Sequence, residues 1–105
     1  MEIIWTETGL KSLEEASDFI AKESPDNAEL LIREIYAKTE ILIGKPRIGS
    51  KPSELEDSEI LQILHGNYRI LYKISNNFIL ILGVANTRRD LTKITSDFNA
   101  DNFYG

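Results

Sequence analysis

The residues of this chain that can do chemistry are basic, and they stand at the two ends of one apolar segment. The segment "NYRILYKISNNFILILGVANTRRD" covers residues 67–90 and carries Arg69 near its start and Arg88 and Arg89 near its end. Guanidinium groups bind carboxylates and phosphates through paired hydrogen bonds. We therefore expect the arginines to offer charge to an acidic partner or target.

The composition excludes several other kinds of site. The chain has 105 residues, no cysteine and a single histidine, His65. A thiolate zinc site, a cysteine nucleophile and a histidine metal cluster are excluded, and we expect no metal and no cofactor. The net charge is -5. An acidic chain is a poor general binder of nucleic acid, because phosphate contacts need clustered lysine and arginine.

The chain also lacks the sequence signals of membrane proteins and secreted proteins. No apolar run approaches the roughly 18 residues that span a bilayer. The start, "MEIIWTETG", does not have the charged and apolar regions of a signal peptide. A cysteine-free composition suits a reducing compartment. We expect a single cytoplasmic domain over residues 1–105, with no membrane partner.

Periodicity predicts the elements of the first half. Residues 2–8, "EIIWTET", are rich in β-formers and predict a short strand. Two amphipathic helices follow, the first capped by Thr8 and the second opened by Ser24 and Pro25. Because the link between them is short, we expect an antiparallel hairpin. The apolar stripes are Leu10, Leu13, Ala16 and Ile20 in the first helix, and Ala28, Leu31, Ile32, Ile35, Thr39 and Leu42 in the second.

The second half predicts a loop and then an antiparallel meander. Gly66-Asn67 and Asn76-Asn77 separate strand-like segments, and these residue types tolerate the positive φ of two-residue hairpin turns. The fold class is α+β, with the helices on one face of the sheet and a short C-terminal helix or tail. The loop covers residues 44–57, and the strand-like segments are 59–65, 68–74 and 78–86.

Strand parity assigns the side chains of the meander to two faces. One face is apolar in its middle and should meet the helices. The other face is mixed and holds Ile60, Gln62, Leu64, Arg69, Leu71, Lys73, Leu80, Leu82, Val84 and Asn86. The pairs that this register predicts across the second turn are Ser75–Phe78, Lys73–Leu80, Leu71–Leu82 and Arg69–Val84.

The mixed face has the character of a binding surface. Its apolar strip of Leu71, Leu80, Leu82 and Val84 is large for a solvated surface, and an exposed apolar strip edged with charge usually binds a partner. Leu80→Glu is then expected to weaken partner binding more than it unfolds the protein. In the alternative, the C-terminal tail with Phe98, Phe103 and Tyr104 covers the strip while the cations reach outward.

Four motifs follow one another through most of the chain. They are "SPDNA" at the start of the second helix, "KPRIG" in the loop, then "GNYRILYKI" and "ILGVANTRRDL". In this order they resemble the RelE/ParE superfamily of bacterial toxins from type II toxin–antitoxin systems. The resemblance extends to about Leu91. It implies a small cytoplasmic toxin that a partner antitoxin neutralises, and it is compatible with a homodimer or with a heterotetramer that includes the antitoxin.

The resemblance also implies what the chain binds. Antitoxins of the superfamily wrap the toxin with a C-terminal helix and extended strand, and the mixed face offers cations to such an acidic segment. ParE-like members poison DNA gyrase, whereas RelE-like members cut mRNA on the ribosome. The predicted antitoxin or target contacts are Arg69, Leu71, Lys73, Leu80, Leu82, Val84, Asn86, Arg88 and Arg89.

Departures from the RelE-like pattern favour the ParE-like branch. The resemblance places two arginines of the RelE-like nucleases at Arg69 and Arg89, which are therefore the candidates for a catalytic role. The positions of the nuclease lysines hold Ile60 and Gln62, and the position of the late histidine of other nucleases holds Asn86. These side chains neither neutralise phosphate nor act as a base. The alternatives are a RelE-like ribosome-dependent endoribonuclease, or an inert antitoxin-binding homologue, since many relatives carry an arginine where Leu61 stands.

The two candidate arginines can meet only if the chain bends. In a straight strand Arg89 points away from Arg69, but "NTRRD" is rich in turn and cap residues. We therefore predict a bend after Asn86 that makes Arg69 and Arg89 one positive site at the rim of the strip. The structural alternative for Arg69 is an ion pair with Glu54, Glu56 or Asp90.

Overall fold

The structure, a computed structural model, describes residues 1–88 and residue 91. Its elements are β1 (Glu2–Trp5), α1 (Glu7–Ala21), α2 (Pro25–Gly44), a 3₁₀ helix (Ser53–Leu55), β2 (Leu61–His65), β3 (Tyr68–Ser75) and β4 (Phe78–Asn86). The strands form one sheet in the order β1-β4-β3-β2, with β1 parallel to β4 and the other pairs antiparallel. This confirms the α+β class with a first strand, a helix hairpin and a meander.

Some of the predictions fall beyond this part of the chain. The C-terminal helix or tail, Arg89 and Asp90 lie outside the described residues. Within them, no helix is long and apolar enough to cross a membrane. The two predicted turns are confirmed, because Gly66 has a φ of 57° and Asn76 a φ of 54°.

The first helix begins earlier than predicted. Its N-cap is Thr6, whose Oγ1 accepts a hydrogen bond from the Gly9 N–H at 2.9 Å and donates one to the Ile81 carbonyl at 2.7 Å. The predicted cap at Thr8 is wrong, because only Thr6 reaches both the helix end and β4. The buried hydroxyl therefore ends β1, starts α1 and joins both to the middle of the sheet.

The second helix begins as the sequence predicts. Ser24 is the N-cap, and its hydroxyl accepts the Asn27 N–H at 3.2 Å, with Pro25 at the first helical position. The predicted stripe of α2 is confirmed. In α1 the stripe is correct at Leu13, Ala16 and Ile20, but Leu10 is 45% exposed and Gly9 takes the buried place.

The helices bury one face of the sheet, which we call the helix face. Trp5 and Tyr36 close its β1 side with an edge-to-face contact of 5.0 Å between ring centroids. Each large apolar side chain buried here contributes about 1.5–3 kcal/mol. The buried cluster consists of Leu13, Leu31, Ile35, Leu42, Ile70, Tyr72, Ile79, Ile81 and Val84.

A β-bulge changes the predicted faces near the end of β4. Lys73 pairs with Leu80 as predicted, but the register shifts between Leu71 and Tyr72. Leu71 therefore pairs with Gly83, and the predicted Leu71–Leu82 pair is wrong. A single extra residue in one strand sends every later side chain to the opposite face.

The bulge overturns two face assignments. Val84 belongs to the helix face, and Ala85 takes its place opposite Arg69. Asn86 pairs with Tyr68, which packs against the helix-face cluster, so Asn86 also leaves the mixed face. The cause lies in α1, where the Ser12 hydroxyl accepts the Val84 N–H at 2.8 Å and so holds the bulged backbone.

Candidate functional site

A segment of the chain covers the mixed face. Residues 52–60, which we call the strap, contain the 3₁₀ helix and pack on the face opposite the helices, which we call the strap face. Leu71 and Leu82 are 0% exposed and Leu80 is 1% exposed. Their buried cluster is Leu55, Ile60, Leu71, Leu80, Leu82, Ala85 and Leu91.

The predicted strip is therefore buried in the free chain and not exposed. Sequence reasoning missed the cover because most of the strap has neither helical nor strand periodicity, and its apolar residue Leu55 is isolated among polar residues. The proposed alternative cover, the tail with Phe98, Phe103 and Tyr104, lies outside the described residues.

Arg69 is the polar centre of the strap face. Its Nη1 and Nη2 donate to the two carboxylate oxygens of Glu54 at 3.1 and 2.8 Å. Nη2 also reaches the Thr87 carbonyl at 3.3 Å, and Nη1 reaches the Gln62 amide oxygen at 3.4 Å. Arg69 thus joins the strap, β2 and the end of β4. The ion-pair alternative is confirmed with Glu54 as the partner.

This geometry corrects the picture of Arg69 as a rim charge. The residue is only 8% exposed, and a bidentate carboxylate neutralises it. The hydrogen bond from Arg69 lowers the pKa of Glu54 from 4.5 to about 2, helped by backbone N–H groups that include that of Leu91, while burial opposes the shift. Glu54 is therefore ionised at neutral pH, and the pair is a closed salt bridge.

The other predicted cations have different places. Lys73 lies on the strap face, where its Nζ is 3.5 Å from a carboxylate oxygen of the well-exposed Glu59. Arg88 is exposed, and its backbone N–H donates to the Asn86 side-chain oxygen at 2.9 Å. The predicted joint site of Arg69 and Arg89 lies outside the described residues, because Arg89 is not among them.

Among the described residues, groups for proton transfer are scarce around Arg69. Ile60 is buried, Gln62 is bound to Arg69, and Asn86, although it follows the Arg69 partner Ala85, belongs to the helix face. Within residues 1–88 and 91, no group of three or more histidine, cysteine, aspartate or glutamate side chains is placed to hold a metal ion. The arrangement suits binding of a carboxylate better than acid–base chemistry.

The base of the strap is fixed from the helix face. The buried Tyr72 hydroxyl donates to the Pro46 carbonyl at 2.8 Å and accepts the Gly49 N–H at 2.9 Å. Burial raises the pKa of Tyr72, so the hydroxyl keeps its proton. A Cβ at Gly49 would be 2.6 Å from both the Tyr72 oxygen and the Gln62 carbonyl, so glycine is needed there. The sequence predicts Tyr72 on the helix side, but it gives no signal for this anchor.

Similarity to known proteins agrees with this architecture. The family model for the ParE toxin of the type II toxin–antitoxin system parDE matches residues 3–91. A structure of the chromosomal ParDE system from P. aeruginosa has a TM-score of 0.68 at 18% identity, over 82% of this chain and 95% of that one. The RelBE2 toxin–antitoxin complex from Mycobacterium tuberculosis has a TM-score of 0.53 at 22% identity, over 81% and 95%. No curated protein matches the chain.

The family match and the fold support the same assignment. The matched residues run from β1 to Leu91 and so include both helices, the strap and the whole sheet. The two structures, at low identity, share the fold. The chain therefore belongs to the ParE toxin family of type II toxin–antitoxin systems, within the RelE/ParE superfamily.

Proposed function

We propose that this ParE-family toxin is neutralised by a cognate antitoxin and, when free, stops growth by inhibiting DNA gyrase. The observation that carries the proposal is the ParE family match over residues 3–91, which spans every element of the fold. We also propose that it acts in the cytoplasm, which its lack of cysteine suits.

The chemistry of the strap face supports a binding toxin over a nuclease. Cleavage of RNA through its 2′-hydroxyl needs a base, an acid and stabilisation of phosphate charge. Arg69 is the group best suited to phosphate, but Glu54 already neutralises it. Ile60 and Gln62 stand where RelE-like nucleases carry lysines. A ribosome-dependent endoribonuclease is therefore the second candidate, to be judged in the same experiment.

The antitoxin surface is proposed on the strap face and the end of β4. An antitoxin segment with acidic and apolar residues matches the chemistry of this surface. The residues proposed to contact the antitoxin or the target are Arg69, Lys73, Asn86, Arg88 and Arg89, and also Leu71, Leu80 and Leu82 where the strap is displaced, with Val84 as a packing residue behind them.

The test measures both candidate activities with one purified protein. Supercoiling of relaxed plasmid by purified gyrase is assayed with and without the toxin, and primer extension maps cuts in mRNA in a reconstituted translation reaction. We expect inhibited supercoiling, restored by the protein encoded in the adjacent reading frame, and uncut mRNA. That adjacent protein added alone is the control.

Each of the other outcomes would support one of the alternative functions. Codon-positioned cuts with normal supercoiling would replace the proposal by RelE-like endoribonuclease activity. Neither effect, together with tight binding of the adjacent protein, would identify an inert antitoxin-binding homologue. Expression in cells without the partner, scored for growth and for the DNA-damage response, gives an independent reading of the same three outcomes.

A further inference from the structure

The strap is attached to the sheet by side chains, while its own backbone hydrogen bonds close short turns within it. The Leu55 N–H donates to the Pro52 carbonyl at 3.0 Å, and the Ser58 N–H donates to the Leu55 carbonyl at 3.0 Å. The Ser58 hydroxyl accepts the Ile60 N–H at 3.2 Å. The strap is thus a compact loop that lies on the sheet without extending it.

Both ends of the strap are held independently of its middle. Ser50 and Gln62 form an isolated antiparallel bridge with backbone hydrogen bonds of 3.0 and 2.8 Å, just outside the strap. Tyr72 fixes the preceding loop through Pro46 and Gly49. Neither the bridge nor the Tyr72 anchor involves the middle of the strap.

Within the described residues, two kinds of side-chain contact join the middle of the strap to the sheet. Leu55 inserts into the buried cluster of the strap face, and the neighbouring residue Glu54 binds Arg69 with both carboxylate oxygens. A second, exposed pair joins Glu59 to Lys73 at 3.5 Å. A carboxylate followed directly by an apolar side chain thus occupies an arginine next to an apolar strip. That is the chemistry of a ligand seated on a binding surface.

We propose that the strap is a displaceable internal ligand, and that the surface beneath it binds a protein segment in which an acidic residue precedes an apolar one. In the closed form Glu54 occupies Arg69 and Leu55 occupies the strip. In the open form Glu54 and Leu55 have left, and the segment of the partner takes their places on Arg69 and on the strip of Leu71, Leu80 and Leu82. This inference deepens the antitoxin surface of the proposed function and rests on it, and because its test uses neither gyrase nor antitoxin, the two can fail separately.

Single cysteines report the opening, because the natural chain has none. Leu82→Cys puts a thiol under the strap, and Ile81→Cys puts one under the helices at the adjacent position; both side chains are 0% exposed. The measurement is the rate of labelling by a disulfide reagent without denaturant. We expect Leu82→Cys to react about 10-fold or more faster, after each rate is corrected for the stability of its own variant, because strap opening is local.

Weakening the salt bridge between Glu54 and Arg69 should increase the difference between the two labelling rates. Glu54→Gln added to Leu82→Cys should raise the labelling rate further, and the same change added to Ile81→Cys should follow global stability alone. The urea dependence of the rates is the second measurement, since local opening exposes less surface and gives a smaller slope. If Leu82→Cys does not fold, Leu71→Cys with the adjacent control Ile70→Cys replaces the pair, because both are also 0% exposed.

Binding of a peptide segment to the surface beneath the strap is tested with a synthetic peptide that has the sequence of the strap, PSELEDSEI. Added to the variant with Glu54→Gln and Leu82→Cys, it should slow labelling, whereas PSQLEDSEI should slow it less. Equal corrected rates and equal urea slopes for Leu82→Cys and Ile81→Cys would overturn the displaceable strap. Fast labelling of Leu82→Cys that neither peptide slows would overturn the internal ligand.

Discussion

The two faces of the sheet are equally buried but are covered in different ways. Ile79 and Ile81 on the helix face, and Leu80 and Leu82 on the strap face, are all at most 1% exposed. The helix face is covered by two helices with capped ends and their own backbone hydrogen bonds. The strap face is covered by an irregular loop held by side chains. Burial alone therefore does not distinguish a permanent core from a surface that the chain covers with its own loop.

Charge separates the two faces where burial does not. The clusters are both apolar, but Arg69 is a guanidinium at 8% exposure within the strap face. Replacing a buried ion pair by apolar residues of similar volume is often neutral or stabilising. The Arg69–Glu54 pair is therefore poorly explained as a device for stability. The pair is better explained as part of a binding surface that the strap of the same chain covers.

The largest expected effect comes from placing a charge under the strap. Leu80→Glu buries an unpaired carboxylate and should lower the free energy of unfolding by about 4 kcal/mol or more, since such burial is among the costliest single changes. This replaces the sequence-based expectation that Leu80→Glu weakens partner binding more than it unfolds the protein. Leu64→Glu is the matched control on the same face, because Leu64 is 55% exposed, and it should change stability by less than about 0.5 kcal/mol.

Circular dichroism and urea denaturation of the two variants measure this difference. A folded Leu80→Glu variant of near-normal stability would show that the strap lifts readily and admits water to the new carboxylate. The two faces would then differ even more than the closed structure indicates, because the same change at Ile79 has no strap to lift.

A smaller effect tests how tightly the helix face is packed. A Cβ at Gly9 would overlap the Ile81 carbonyl oxygen, so Gly9→Ala must push α1 away from β4 and should cost about 2–3 kcal/mol. Gly44→Ala is the control, because nothing lies within 4 Å of its added Cβ, and it should stabilise by about 0.4–1 kcal/mol. Thermal or urea unfolding checks both, and a neutral Gly9→Ala would mean that the helix cover is looser than the contact implies.

The helix face was predictable from the sequence because periodicity and capping are local signals. The stripe of α2, the cap at Ser24 and both hairpin turns are confirmed. The positions of Thr6, Val84 and Asn86 were not predictable, because each depends on a contact between α1 and β4 that no local pattern encodes. The bulge needs Ser12 to be near Val84, and the cap at Thr6 needs the Ile81 carbonyl.

The strap face was predicted in part. Parity correctly grouped Arg69, Leu71 and Lys73, and the pairing of Arg69 with Glu54 stood among the open alternatives. The cover itself was missed because Leu55 is a lone apolar residue in an acidic stretch. Its burial depends on the shape of the sheet beneath it, which exists only once the meander has folded.

The smallest effect compares the two ion pairs of the strap. Glu54→Gln removes the carboxylate that pairs with the nearly buried Arg69 and should lower the free energy of unfolding by about 1–2 kcal/mol at pH 7. Glu59→Gln removes an exposed pair with Lys73 and should cost less than about 0.5 kcal/mol. Urea denaturation of the natural chain and of the two variants in the same buffer measures both differences in unfolding free energy. Equal losses would mean that burial of the Arg69 pair adds nothing to its strength.

The effect of pH isolates the charge of Glu54 from its shape. The pKa of Glu54 is about 2 in the folded chain against an ordinary value of 4.5, so the folded state holds the ionised form more strongly than the unfolded state does. The resulting stability is fully present above about pH 4.5 and is lost as the pH falls through about 2. The difference in unfolding free energy between the natural chain and Glu54→Gln should therefore be constant near neutrality and shrink over that window. If this difference in unfolding free energy grew on acidification, it would contradict the role of the Glu54–Arg69 salt bridge in holding the strap on the sheet.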